Sequence, residues 1–70
     1  MKRNSVIVGQ LVAVNDLDDG QVYQVKQFTD KFVVELEYQN MGRTCNGGYM
    51  DVSILKLPTR KQLAYYNTTK

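Results

Sequence analysis

Residues 8–38, VGQLVAVNDLDDGQVYQVKQFTDKFVVELEY, read as three consecutive strands punctuated at Gly20 and at Thr29-Asp30-Lys31, with apolar and polar positions alternating at a period of two most clearly in the third. That period belongs to a pleated strand, whose successive side chains fall on opposite faces. Residues 6–14 are dense in Val, Ile and Leu and predict a first strand, since β-branched side chains suit the pleat better than a helix. Asn15-Asp16-Leu17-Asp18-Asp19-Gly20 then stacks turn formers: Asn and Asp bond back to their own backbone, and Gly accepts positive φ without steric cost. Residues 22–28 predict a second strand, and Thr29-Asp30-Lys31 a short hairpin connection. Beyond it, Phe32, Val34, Leu36 and Tyr38 alternate with Val33, Glu35, Glu37 and Gln39, which predicts one buried face and one wet face.

The alternation disappears in residues 40–48, NMGRTCNGG, which reads as a polar, glycine-rich loop and the longest irregular segment. Residues 49–54 predict a fourth strand, with Met50, Val52 and Ile54 on one face and Tyr49, Asp51 and Ser53 on the other. Leu55-Lys56-Leu57-Pro58 ends it, because proline lacks the amide a central ladder needs. Thr59 followed three residues later by Gln62 is a capping box, and it predicts a helix over residues 60–66. Two turns of helix are stable only when docked, here through Leu63 and one of Tyr65 and Tyr66, with residues 1–4 and 67–70 frayed. The chain thus reads as one mainly β domain over residues 1–70, a single small antiparallel barrel of four or five strands with a short C-terminal helix.

Seventy residues lie close to the lower limit for a core without staples, so every apolar strand face is needed inside. Cys45 has no second cysteine to pair with, and without histidine a zinc site would rest on carboxylates alone. No disulfide, metal or cofactor is expected. The start, MKRNSVIVGQ, has only a short apolar run before Gly9 and Gln10, which fits neither a signal peptide nor a membrane span. A cytoplasmic protein with no membrane partner, a monomer or small homo-oligomer, is the expectation. The formal charge of +2 is far from that of a dedicated nucleic-acid binder, so the distribution of charge matters more than its sum.

Gly9 ahead of Leu11-Val12-Ala13-Val14, then Gly20-Gln21-Val22-Tyr23-Gln24-Val25, then Phe32-Val33-Val34-Glu35-Leu36 together resemble the SH3-like barrel, most closely its KOW-type and Tudor-type members. The resemblance covers the first half of the chain and implies a binding scaffold. A KOW motif has a basic, glycine-containing first connection, and NDLDDG is acidic. Phe28-Thr29-Asp30-Lys31-Phe32-Val33-Val34-Glu35-Leu36 is also similar to the first motif of Sm-like RNA-binding barrels, without the asparagine that follows the aspartate there. The short chain and its ending DVSILKLPTRKQL resemble small accessory proteins of phages or mobile elements.

Four groups of residues are candidates for contact. Asp16, Asp18 and Asp19 bunch ahead of Gly20 but lack calcium-loop spacing, since Leu17 takes a ligand position and Lys26 stands where a bidentate glutamate belongs. They form either an acidic surface for a basic partner or a solvated turn. Arg43 presents a planar fork for phosphate or carboxylate, or is an exposed hairpin residue. Lys56, Arg60 and Lys61, joined by Lys2 and Arg3 if the N-terminus runs nearby, form a patch suited to nucleic acid, or a solvated helix end. Tyr49 is the tyrosine expected to be exposed, whereas Tyr38 and one of Tyr65 and Tyr66 belong to the core. With no histidine to activate Cys45 and no arrangement that separates acid from base roles, the chain is not expected to be an enzyme. Two functions follow: a module that engages a protein partner through its loops and strand edge, or a KOW-like nucleic-acid-binding barrel using the basic cluster.

Overall fold

In a computed structural model, which describes residues 1–14 and 21–69, five antiparallel strands form one curled, half-barrel sheet with a single C-terminal helix. The strands are β1 (Leu11–Val14), β2 (Tyr23–Phe28), β3 (Val33–Asn40), β4 (Arg43–Asp51) and β5 (Leu55–Lys56), and the helix α1 is Arg60–Thr69. Their order is β4-β3-β2-β1-β5. The two ends of the sheet, β4 and β5, are not paired among the described residues, so the barrel stays open. The reversal expected at residues 15–20 lies outside the described residues.

The inner face carries the core. Val12, Val25, Val34, Leu36 and Leu55 are almost fully buried, with Val6, Val14 and Val52 beside them. Met1, Tyr23, Phe28, Met50 and Ile54 pack around this cluster. The expected alternation holds at Val34 and Leu36, but Phe32 is 48% exposed. Its position explains this: the amides of Thr29 and Asp30 both donate to the Val33 carbonyl, closing the connection and leaving Phe32 outside the β2–β3 ladder, with its carbonyl accepting from the Val52 amide at 2.9 Å. Glu35, expected to be wet, is buried. Lys26 is an extra residue in β2, where Val25 pairs with Leu36 and Gln27 with Glu35. Such a bulge re-aims side chains. Gln27 Nε2 donates to Glu35 Oε1 at 2.7 Å, and Lys26 Nζ lies 3.9 Å from Oε2.

Two other expectations are corrected. Residues 6–14 are not one strand, because the chain turns at Gly9 (φ 92°), whose amide donates to Val25 O at 2.8 Å. That turn leaves Ile7 and Val8 exposed and only Leu11–Val14 in the ladder. Residues 40–48 are not a loop. Met41 (φ 53°) and Gly42 (φ 78°) alone make the turn, Asn40 pairs with Arg43, and β4 begins immediately. Two left-handed residues match the right-handed twist of a hairpin, and the glycine supplies one of them without strain. Methionine is an uncommon occupant of such a site, which hid the hairpin from sequence. The fourth strand therefore runs from Arg43 to Asp51 and is followed by a 3-10 turn, Val52–Ile54.

A second bulge lies in β4, where Leu36 pairs with Gly48 and Glu37 with Asn46, leaving Gly47 extra. A Cβ on Gly47 would fall 2.9 Å from Tyr23 Cδ1 and 3.1 Å from the Leu36 carbonyl oxygen. Tyr23 also meets Tyr38 edge-on, with ring centroids 5.8 Å apart. The capping box forms as expected: Thr59 Oγ1 accepts from the Gln62 amide at 3.1 Å, and Gln62 Oε1 accepts from the Thr59 amide at 2.8 Å. Helix α1 runs past Tyr66 to Thr69 and docks through Gln62 and Tyr66, both buried, with Leu63 half-buried and Tyr65 exposed.

Two substitutions test this packing by thermal melting. Val34→Asp buries a charge with no partner and should leave the domain unfolded; a cooperative melt would refute the face assignment. Gly47→Ala must displace the Tyr23 ring and strain the Leu36 backbone, an overpacking cost of about 1–3 kcal/mol and a fall in Tm of at least ~4 °C. An unchanged Tm would show that the Tyr23 contact is loose.

Candidate functional site

The longest feature left without a strand neighbour is the outer edge of β4. Among the described residues it pairs with β3 alone. Because Asn40 and Arg43 flank a two-residue turn, they form the mutually hydrogen-bonded pair. Alternation along an antiparallel ladder then turns the backbone groups of Thr44 and Asn46 away from β3. Side chains support this edge locally: Gln39 Nε2 donates to Thr44 Oγ1 at 2.9 Å, and Asn46 Oδ1 accepts from the Gly48 amide at 2.8 Å.

Arg43 and Tyr49 both lie on β4 and are exposed, Tyr49 by 62%. They are not neighbours. Arg43 begins the strand and Tyr49 stands opposite Glu35, which separates them by roughly 20 Å of extended chain. Lys56 is half-buried on β5, opposite Ala13 on the other edge of the sheet. Arg60 and Lys61 are exposed in the first turn of α1, where no acidic residue accompanies them. Asp16, Asp18 and Asp19 lie outside the described residues. Arg3 goes to the β2–β3 hairpin, where its Nε donates to the Lys31 carbonyl at 2.6 Å and its guanidinium lies 3.8 Å from the centre of the Phe28 ring.

Two features escaped the sequence reading. One is the β4 edge itself, hidden because residues 43–48 contain two glycines and three polar side chains around Cys45. The other is a hollow of about 250 Å³ lined by Lys26, Glu35, Glu37, Thr44 and Cys45 among others. Its lining pairs Lys26 with Glu35 and adds a second carboxylate, Glu37. Cys45 is a half-buried free thiol, and no three His, Cys, Asp or Glu residues among those described are placed to hold a metal. No described helix is long and apolar enough to cross a membrane.

Asp51 ends β4, and its Oδ1 accepts from the Ser53 amide at 2.9 Å, capping the 3-10 turn. Hydrogen bonding to Ser53 holds its pKa below the usual aspartate range, with a smaller pull from the Met1 ammonium. That ammonium donates to the carbonyls of Val52 and Leu55, at 2.8 and 2.6 Å.

Compared with known proteins, the chain matches no family model, no curated protein and no solved structure.

The lowered pKa of Asp51 has a pH signature. A carboxylate whose folded pKa is depressed adds stability above its unfolded pKa and loses it as pH falls through the folded value. Asp51→Asn keeps the cap acceptor but cannot titrate. Its Tm should lie below that of the parent at neutral pH and converge with it in acid, below about pH 4. A constant difference across the titration would show that the charge of Asp51 plays no part.

Proposed function

We propose that the chain is a non-enzymatic binding module that takes up an extended segment of a protein partner along the β4 edge. The unpaired outer edge of β4 carries this reading. A segment laid against such an edge gains main-chain hydrogen bonds, and its alternate side chains supply specificity. Arg43 and Tyr49, exposed toward opposite ends of the strand, are residue types that anchor interfaces. The Gly47 bulge divides the edge into two short runs, residues 43–46 and 48–51, which suits a brief extended segment and discourages open-ended stacking of sheets. An SH3-like scaffold used as a phage-type accessory or inhibitor protein is compatible with this role. A second reading, nucleic-acid binding of KOW type, is supported by Lys56, Arg60 and Lys61, which form no ion pair among the described residues.

Thr44→Pro tests the first reading. Proline deletes the outward amide of Thr44 without removing a backbone bond to β3, and loses only the exposed Gln39–Thr44 side-chain bond, so the fold should persist with a Tm within a few degrees of the parent. Proteins of the native host retained by the immobilised chain should be lost with Thr44→Pro. Arg43→Ala and Tyr49→Ala should each weaken the interaction by ~2 kcal/mol or more, about thirtyfold in Kd. Retention of the same proteins by all three folded variants would refute edge binding. Loss of retention only with the Arg60→Glu, Lys61→Glu double variant would favour the basic cluster.

A further inference from the structure

Arg3 is held in place by two contacts with the β2–β3 hairpin. Its stacking on Phe28 and its Nε bond to the Lys31 carbonyl fix the guanidinium plane. That bond uses one of the five guanidinium N–H donors. The four on the two Nη atoms have no ion-pair partner among the described residues. A planar fork already immobilised has lost the side-chain freedom that gripping an anion would otherwise cost.

Its surroundings are basic and aromatic. Lys2 precedes it and is exposed, as is Lys31, whose Nζ lies 5.4 Å from the centre of the Phe32 ring. Phe32 stands outside the β2–β3 ladder with nearly half its surface in water. The carboxylates nearby are already engaged by backbone amides: Asp30 accepts from Lys31 N at 2.7 Å, and Asp51, opposite Val33, accepts from Ser53 N. Three side-chain cations thus stand against two carboxylates in this part of the chain, a positive excess, with Lys31 beside the exposed Phe32 ring.

We propose that Arg3, Lys31 and Phe32, with Lys2 at the margin, bind single-stranded nucleic acid, the cations holding successive phosphates while a base stacks on Phe32. Every base offers a stacking face, but only an unpaired base can present it to a side chain. An acidic peptide would satisfy the arginine fork equally well and leave the phenyl ring without a role. The site shares no residue with the β4 edge or with the Lys56, Arg60, Lys61 cluster.

Fluorescence anisotropy with a labelled oligothymidylate, and with a labelled oligoglutamate peptide as the competing class, tests this at low salt. Three phosphate contacts predict that log K falls against log[salt] with a slope of about −2, flattened by about 0.7 in Lys31→Gln. Phe32→Ala should weaken oligonucleotide binding at least ~5-fold while leaving the slope unchanged. Arg3→Lys, which keeps the charge and loses the fork and the stacking, should weaken it as well. Lys31 and Phe32 are exposed, so their variants should melt close to the parent. The proposal is overturned if the parent does not bind the oligonucleotide, if Phe32→Ala binds as well as the parent, or if oligoglutamate binds equally well. It is also overturned if Arg60→Glu with Lys61→Glu weakens binding more than Arg3→Lys does, since that places the site on α1.

Discussion

The contact on which the rest of the molecule depends is that of Tyr23 with the backbone of Gly47. Tyr23 belongs to β2 and Gly47 to β4, with β3 between them, so the ring spans two inter-strand steps of roughly 5 Å each. It does so because the sheet is curled, and because position 47 has no side chain to hold the ring away. Among the described residues the chain has one ten-residue helix and no second sheet to cover its apolar face. Curvature is its way of covering that face, and the bulges at Lys26 and Gly47 let β2 and β4 bend around β3. The cost of the bulge is the regularity of β4, and the interrupted edge that results is the surface assigned to a partner.

What could be read from the sequence follows how local each determinant is. The capping box was legible because Thr59 and Gln62 complete it within one turn, with no help from elsewhere. Val34 and Leu36 were legible because the burial of β3 follows a plain period of two there. Phe32 continues the same period and escapes it, since whether the ladder reaches that far is decided by where the hairpin closes. Glu35 is polar by composition and buried by context, because the extra residue Lys26 brings both Lys26 and Gln27 to its carboxylate. Bulges leave no period in the sequence, so their consequences are invisible there.

The candidate sites divide along the same line. Tyr49 and Arg43 were picked out by residue type and are exposed, but their spacing along one strand depended on recognising a methionine-glycine hairpin. The left-handed backbone of Met41 carries a conformational cost that asparagine or glycine would reduce. Charge alone groups Arg3 with Lys56, Arg60 and Lys61. The structure sets it instead over the Phe28 ring, a pairing that only the return of the N-terminal turn to the β2–β3 hairpin brings about.

The place of β1 in the sheet bears on how the chain reaches its fold. Leu11 and Val12 pair with nearby β2, whereas Ala13 and Val14 wait for Lys56 and Leu55, more than forty residues later in synthesis. The β2–β3–β4 meander can assemble as soon as it is made, from short-range pairings. Until β5 arrives, the far side of β1 is an apolar strand with unsatisfied amides, open to pairing with other nascent chains. The last steps of folding are then the slow ones, set by loop closure rather than by hairpin formation. The state most exposed to misassembly is therefore the one in which the meander has formed and β5 has not yet docked on β1.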